Sequence, residues 1–454
     1  MIAGTLGISR SAATASRRMA IAQSTVVRSL KTSAALAQKK QGADRTQSTA
    51  FIKKEGGSNS KKLRSGTATA VNTVGANPEY YVSNVQTNLR TLDASTANDA
   101  HINKFMEIDS AFLDGIGKGH LPGALETDFK LFGRPALLYR KLTQQLVDRL
   151  ARHAGAEATA AAAAVPKRAS VIDGKNGAGK SAELMKLASV AAASGHIVIY
   201  ASSTVSWVNS SRPYAPANDS DLFVQHEVTM DLLRSVASLS KEALGKVPLG
   251  KSVVVGKKTL AADKTLADLV EFGIHTPSLA HDVLENLLTI ASAQKQVPVL
   301  IALDSVNTLW CTTSYTDQQD VVLPASRLRL VNAFLPFFEG KATVASGWVV
   351  GATSYVEPRF MPKHLRLKLN PPPMVPLANA DVASDPSIAR PASEVPFEVI
   401  KIDRLSADEA QALMLFYHKT SVISTPVTNA LVAKKWVFAD GNPREIFKSV
   451  TTYF

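Results

Sequence analysis

The chain of 454 residues has one cysteine, Cys311, which excludes an intramolecular disulfide and any cysteine-based zinc cluster and suits a reducing compartment. It has no run of eighteen apolar residues, so no transmembrane helix is expected. Its nine histidines are scattered, with no H-E-x-x-H or comparable spacing, and point to surface or satisfied core positions rather than to a metal centre. Acidic residues are missing from the first 43 positions. That absence explains most of the net charge of +13. Residues 1–75 hold 13 Lys/Arg against Asp44 and Glu55, leaving 38 basic and 36 acidic residues for everything after. The body is therefore nearly neutral, and the overall basicity is not a nucleic-acid footprint of the folded part.

What is present is more specific. Gly174-Lys175-Asn176-Gly177-Ala178-Gly179-Lys180-Ser181 matches G-x-x-x-x-G-K-[ST] at every fixed position. Ala169 to Asp173 ahead of it reads as a short apolar strand, and Ala182 to Ala188 behind it as the first turns of a helix. In that context the glycines let backbone N–H groups turn around an anion, the helix presents its positive end, and Lys180 adds a point charge for the outer phosphates. Ser181 would offer its hydroxyl to Mg²⁺. The expected nucleotide-binding residues are Gly174, Lys175, Asn176, Gly177, Ala178, Gly179, Lys180, Ser181 and Ala182.

Further along, His196 to Ala201 is a β-branched run of the kind found in a sheet covered on both faces. Helical material is expected between Asp219 and Leu244 and between Ser278 and Ala293. Val297 to Asp304 is an apolar strand ending in an acid, the Walker B pattern, so Asp304 is the expected second partner of Mg²⁺. A second apolar run, Thr343 to Ser354, has the place of a sensor strand beside a γ-phosphate, with Thr353 or Ser354 as the contact. Ser406 to Tyr417 reads as a helix with a good N-cap, and Gly441-Asn442-Pro443-Arg444 as a turn opening a last helix.

With 45% hydrophobic residues the chain has material for two or three domains and a sizeable core. Residues 1–40 are expected to be a mitochondrial transit peptide: Arg10, Arg17, Arg18, Arg28, Lys31, Lys39 and Lys40 stand among Ser, Thr and Ala, without a secretory apolar segment. Residues 41–76 read as a disordered basic arm carrying Lys53, Lys54, Lys61, Lys62 and Arg64, either laid along RNA phosphates or solvated. Residues 77–153 form a packed N-terminal extension, ending in an amphipathic helix from Pro135 to Leu150. An Ala-rich linker (154–166), the P-loop nucleotide-binding domain (167–370), a Pro-rich loop (371–395) and a helical lid (396–454) follow.

Parallel strands alternating with helices imply a doubly wound α/β sheet with helices on both faces. The P-loop, the Walker B acid, the polar sensor strand and the helical lid together resemble an AAA+ or STAND-type P-loop NTPase. The Gly-Asn-Pro-Arg element looks like the second sensor of that group, with Arg444 reaching toward the nucleotide. One departure stands out: hydrolytic members usually carry Glu after the Walker B Asp, and here Ser305 follows.

A narrower resemblance rests on Tyr139-Arg140-Lys141, Gly174 to Ser181, Ser206-Trp207-Val208, Gly441-Asn442-Pro443 and, most specifically, Asp304-Ser305-Val306-Asn307-Thr308-Leu309-Trp310. On these residues the chain resembles the death-associated protein three family of the mitochondrial small ribosomal subunit. The resemblance implies a protein of the small-subunit head in the mitochondrial matrix, binding GTP or ATP, or the diphosphate, with Mg²⁺ and little or no hydrolysis. It also implies contact with small-subunit ribosomal RNA, with neighbouring ribosomal proteins and toward the large subunit. Two alternatives stay open. One is an independent matrix ATPase of AAA+/STAND type, which needs an arginine finger from Arg327, Arg329 or Arg359. The other is a P-loop kinase, whose substrate residues would lie between Asp219 and Ala293, where no paired Arg/Asp cluster occurs. No Asn-Lys-x-Asp element selects guanine, so the base stays open.

Overall fold

The computed structural model describes residues 88–117, 120–155, 169–217, 220–370 and 396–451, all within one compact unit, Gly75–Phe454. The expected transit peptide, the basic arm, the Pro-rich loop and nearly all of the Ala-rich linker lie outside the described residues.

The N-terminal extension starts with strand β1 (Lys104–Glu107), passes through helix α1 (Gly123–Phe132) and returns as β2 (Ala136–Tyr139), antiparallel to β1. Helix α2 (Lys141–Ala154) follows. The helix expected from Pro135 thus begins six residues later. All four residues of β2 are buried, a burden that one face of a surface helix cannot carry, and pairing with β1 satisfies their backbone.

The main sheet is built from β3 (Ala169–Asp173), β4 (Ile197–Ala201), β5 (Val299–Asp304) and β6 (Gly347–Ala352), each buried along its whole length. With β7 (Glu398–Lys401) they form a five-stranded parallel sheet in the order β7-β3-β6-β5-β4. Residues alternate between faces along each strand. Ile172, Val198, Leu300 and Val350 face one core layer, shared with Leu146 and Leu150 of α2 and Leu184 and Leu187 of helix α3 (Lys180–Ala193). Val171, Ile199, Ile301 and Val349 face the other, which is covered by α4 (His226–Leu239), α5 (Leu266–His275), α6 (Ala280–Ala293) and α7 (Arg329–Phe338). Between α4 and α5 lies a hairpin, Val253–Val255 with Lys258–Leu260, in the stretch between the two expected helical regions.

The C-terminal segment was expected to be all helical from residue 396. It opens instead with β7, which extends the sheet beside β3. Among the described residues only one side of β7 is paired, and its residues alternate poorly in burial, which gives a weak strand signal. Helices α8 (Ala407–Lys419), α9 (Asn429–Phe438) and α10 (Pro443–Thr451) then pack into a third core. Ser406 caps α8, its hydroxyl accepting from the Glu409 amide while Glu409 accepts from the Ser406 amide. This core also takes in Ala136 and Leu138 of β2, and the Phe105 ring of β1 stacks on Phe416 at 3.6 Å. The extension and the lid are therefore one packed layer.

Candidate functional site

The register sets the carboxyl ends of three strands level: Ala352 pairs with Ile172 on one side and with Asp304 on the other. Beyond β3 the chain turns through Gly177 (φ +79°) and Gly179 (φ +99°), conformations open to glycine without strain, and enters α3. No side chain caps that helix. Its first amides therefore stay available to an anion at its positive end.

Lys180 folds across the loop, its Nζ donating to the carbonyls of Gly174 at 2.7 Å and Lys175 at 2.9 Å and lying 5.4 Å from the Tyr355 ring centre. Burial pulls its amine below the ordinary lysine range, while the charges of Asp173 and Asp304 oppose that shift. Ser181 lies beside Asp304, near enough for its hydroxyl to favour the carboxylate form. The Ser305 amide donates to Asp304, at 2.7 Å. Burial pushes Asp304 up to about 6 against these hydrogen bonds and the Lys180 charge. A hydroxyl beside a carboxylate is a pair of hard oxygens of the type Mg²⁺ takes. Among the described residues no group of three or more His, Cys, Asp or Glu could hold a metal. A cation here would need water and anion oxygens to complete its shell.

Thr353 lines the same cavity as the loop. Its hydroxyl donates to Asp173 Oδ1 at 2.7 Å, which uses its only proton. Asp173 is buried, which alone would raise its pKa, but Lys401 at 2.6 Å, Thr353 and Tyr355 at 2.8 Å hold it below the usual carboxylate range. Ser354, the other sensor candidate, lines the same cavity. Its backbone is fixed by Asn307, whose Oδ1 accepts from the Ser354 amide at 2.8 Å and whose Nδ2 donates to the Phe360 carbonyl. The asparagine of the most specific sequence element thus ties the end of β5 to the end of β6.

The lid docks directly on the loop. Asn442 Nδ2 donates to the Asn176 carbonyl at 2.8 Å, and Lys175 pairs with Asp440 at 2.7 Å. A Cβ at Gly177 would lie 2.6 Å from Arg444 Cβ. Residues 176–182 and Arg444 together line a cavity of about 470 Å³ that continues between α1, β2, α8 and α10. That volume is within the usual range of small-molecule sites. Two further lining residues were not among the expected site residues: Asp128, pushed up to about 6 by burial against the Arg444 charge, and Arg140, which entered only as part of the family resemblance. Both arrive through packing of the extension. Of the arginines considered as fingers, Arg329 is bound by Asp282 at 2.6 Å and Glu285 at 2.8 Å, and Arg359 by Glu357 at 2.8 Å.

A level row of strand ends, an uncapped helix start and a docked lid describe an α/β protein with a cavity at the ends of its strands, and comparison with known proteins gives the particular family. Residues 137–449 match the family model described as mitochondrial ribosomal death-associated protein 3. The chain belongs to that family, and its location is the mitochondrial matrix. It is 25% identical over 337 residues to the small ribosomal subunit protein mS29 of Schizosaccharomyces pombe, covering 72% of this chain and 67% of that one. Among solved structures, an E. coli MS115-1 HORMA:CdnC:Trip13 complex aligns with 12% identity and a TM-score of 0.25, over 76% of this chain and 93% of the matched chain. A score that low bears no weight.

Proposed function

We propose that this protein is a structural component of the head of the mitochondrial small ribosomal subunit that holds a purine nucleotide, GTP or ATP or the diphosphate, with Mg²⁺. Its α/β domain is read as a P-loop NTPase fold of AAA+/STAND type, supported by the strand order and by the loop between β3 and α3. The observation that carries the ligand reading is the meeting of Lys180, Ser181 and buried Asp304 under an uncapped helix start. Residues 174–182 would cradle the phosphates through backbone amides, and Lys180 would leave the loop carbonyls to meet the outer charge. Ser181 and Asp304 would hold the cation, which neutralises phosphate charge when bound. Arg444 and Ser354 would face the γ-phosphate end.

Slow or absent hydrolysis follows from the residue after Asp304. Ser305 is buried, in left-handed backbone (φ +62°), and brings no carboxylate to orient a water. The nucleotide then acts as a stabilising ligand by mass action. Contact with ribosomal RNA is supported by local charge: residues 246–264 hold five exposed lysines, Lys246, Lys251, Lys257, Lys258 and Lys264, against Asp263 alone. The family membership supports ribosomal-protein neighbours and a reach toward the large subunit.

The test is a sucrose gradient of mitochondrial lysate, with the nucleotide in the protein-containing fractions identified after denaturation. Co-migration with the small subunit and a stoichiometric purine nucleotide is expected. A free ring-shaped oligomer would replace this reading with an independent ATPase. Lys180→Ala should lose the nucleotide and enter the subunit poorly; equal assembly would sink the stabilising role.

A further inference from the structure

Arg140 lines the same cavity as the phosphate loop. It lies at the junction of β2 and α2, where its flanking residues hold the second turn of α3: Lys186 Nζ donates to the Leu138 carbonyl at 2.6 Å, to Thr143 at 2.8 Å and to Glu183 at 2.9 Å. Lys186 stands five residues beyond Ser181, about 7.5 Å further along the helix axis. Leu138, Phe132, Leu413 and Tyr417 give the cavity an apolar wall.

The Arg140 side chain is 8% exposed. Its Nε donates to Glu409 Oε1 at 3.2 Å, and its Nη2 donates to Glu409 Oε2 at 3.3 Å and to the Asp403 carbonyl at 3.1 Å. Nη1 is buried with no acceptor. Among the described residues it is the one buried side-chain polar atom without a hydrogen-bond partner that belongs to a cavity-lining residue. An arginine stays charged in a protein, so such a donor carries an unrelieved desolvation cost. A ligand oxygen or ring nitrogen would relieve it.

We infer that Arg140 is a nucleotide-contacting residue, whose Nη1 donates to an acceptor on the nucleoside, ring or ribose, while the apolar wall of the cavity takes the ring. This rests on the nucleotide reading above and extends it beyond the phosphates. Because the same guanidinium grips Glu409, the nucleoside and the lid helix α8 share one anchor. A bare polyphosphate would miss it.

The experiment compares Mg²⁺-dependent binding of GTP, ATP and inorganic tripolyphosphate by the full chain as wild type, Arg140→Lys and Lys180→Ala. Lysine keeps a cation for Glu409 and lacks Nη1. Arg140→Lys should weaken the preferred nucleotide about tenfold, the value of one hydrogen bond to a charged donor, and leave tripolyphosphate unchanged. Lys180→Ala should weaken all three. Tripolyphosphate binding doubles as the test of folding. If Arg140→Lys binds the nucleotide as wild type does, or loses tripolyphosphate equally, the inference is overturned. If wild type binds none of the three probes, the nucleotide reading itself fails first.

Discussion

Substituting Gly177 by alanine probes how tightly the lid seats on the loop. The new methyl would sit 2.6 Å from Arg444 Cβ and 2.9 Å from Asn442 Oδ1, and the residue would have to hold φ +79°. The left-handed backbone costs about 1–2 kcal/mol for a residue with a Cβ. The clash is with side-chain roots on α10, so the helix must retreat, and the Asn442–Asn176 bond, worth about 1 kcal/mol, goes with it. Together these give a loss of about 2–3 kcal/mol. Gly179→Ala separates the two causes, because Gly179 has φ +99° but nothing within 4 Å of its Cβ, so it should lose only the backbone part. Urea unfolding measures both, and limited proteolysis of the lid reports docking. Equal midpoints for Gly177→Ala and Gly179→Ala, with unchanged lid protection, would refute tight seating.

The raised carboxyl of Asp304 gives a pH dependence with a definite sign. Its native form holds a proton up to about 6, so the Mg²⁺-free protein gains stability from this group on acidification and loses it as pH rises through that value. Cation binding needs the carboxylate, so the rise in melting temperature produced by Mg²⁺ and nucleotide should be full at pH 8 and shrink below 6. Asp304→Asn separates it from Asp128, which shares the shift, and a pH-independent gap would exclude Asp304 as a ligand. Lys186→Met leaves the buried Glu183 carboxylate with Thr143 as its remaining partner and should cost about 3–5 kcal/mol by urea unfolding. The double variant Lys186→Met/Glu183→Leu should regain most of that; additive losses would show that the pair is not coupled. Reversing Lys251, Lys257 and Lys264 to Glu should flatten the salt dependence of RNA binding by at least 2 in log–log slope, measured by filter binding across salt, with nucleotide retention unchanged. An unaltered slope would move the RNA contact off this hairpin.

Where burial is complete and continuous, sequence and structure agree closely. The apolar runs at 169–173, 197–201, 299–304 and 347–352 read as strands because a doubly covered sheet leaves no polar alternation to confuse. Short strands with unequal faces were not legible: β2 looks like the first turn of the helix behind it, and β7 is four residues long with one paired side. The site divides in the same way. Lys180, Ser181 and Asp304 stand at motif spacing and come together. Arg140 and Asp128 reach the cavity through the packing of β2 and α1 on the lid, and the bond from the Thr353 hydroxyl to Asp173 depends on loop–sheet geometry, which no local pattern encodes.

The position of β7 has a consequence for how the protein is made. The strand beside it, β3, leads straight into the Lys180 loop, yet its partner lies more than two hundred residues later in the chain. Until residue 401 is in place, β3 presents an open hydrogen-bonding edge that is wholly buried in the native fold, the kind of edge that recruits other chains. Synthesis from the amino end therefore leaves that edge unpaired while the central domain emerges. Truncations before residue 398 should aggregate rather than yield a lidless but soluble core.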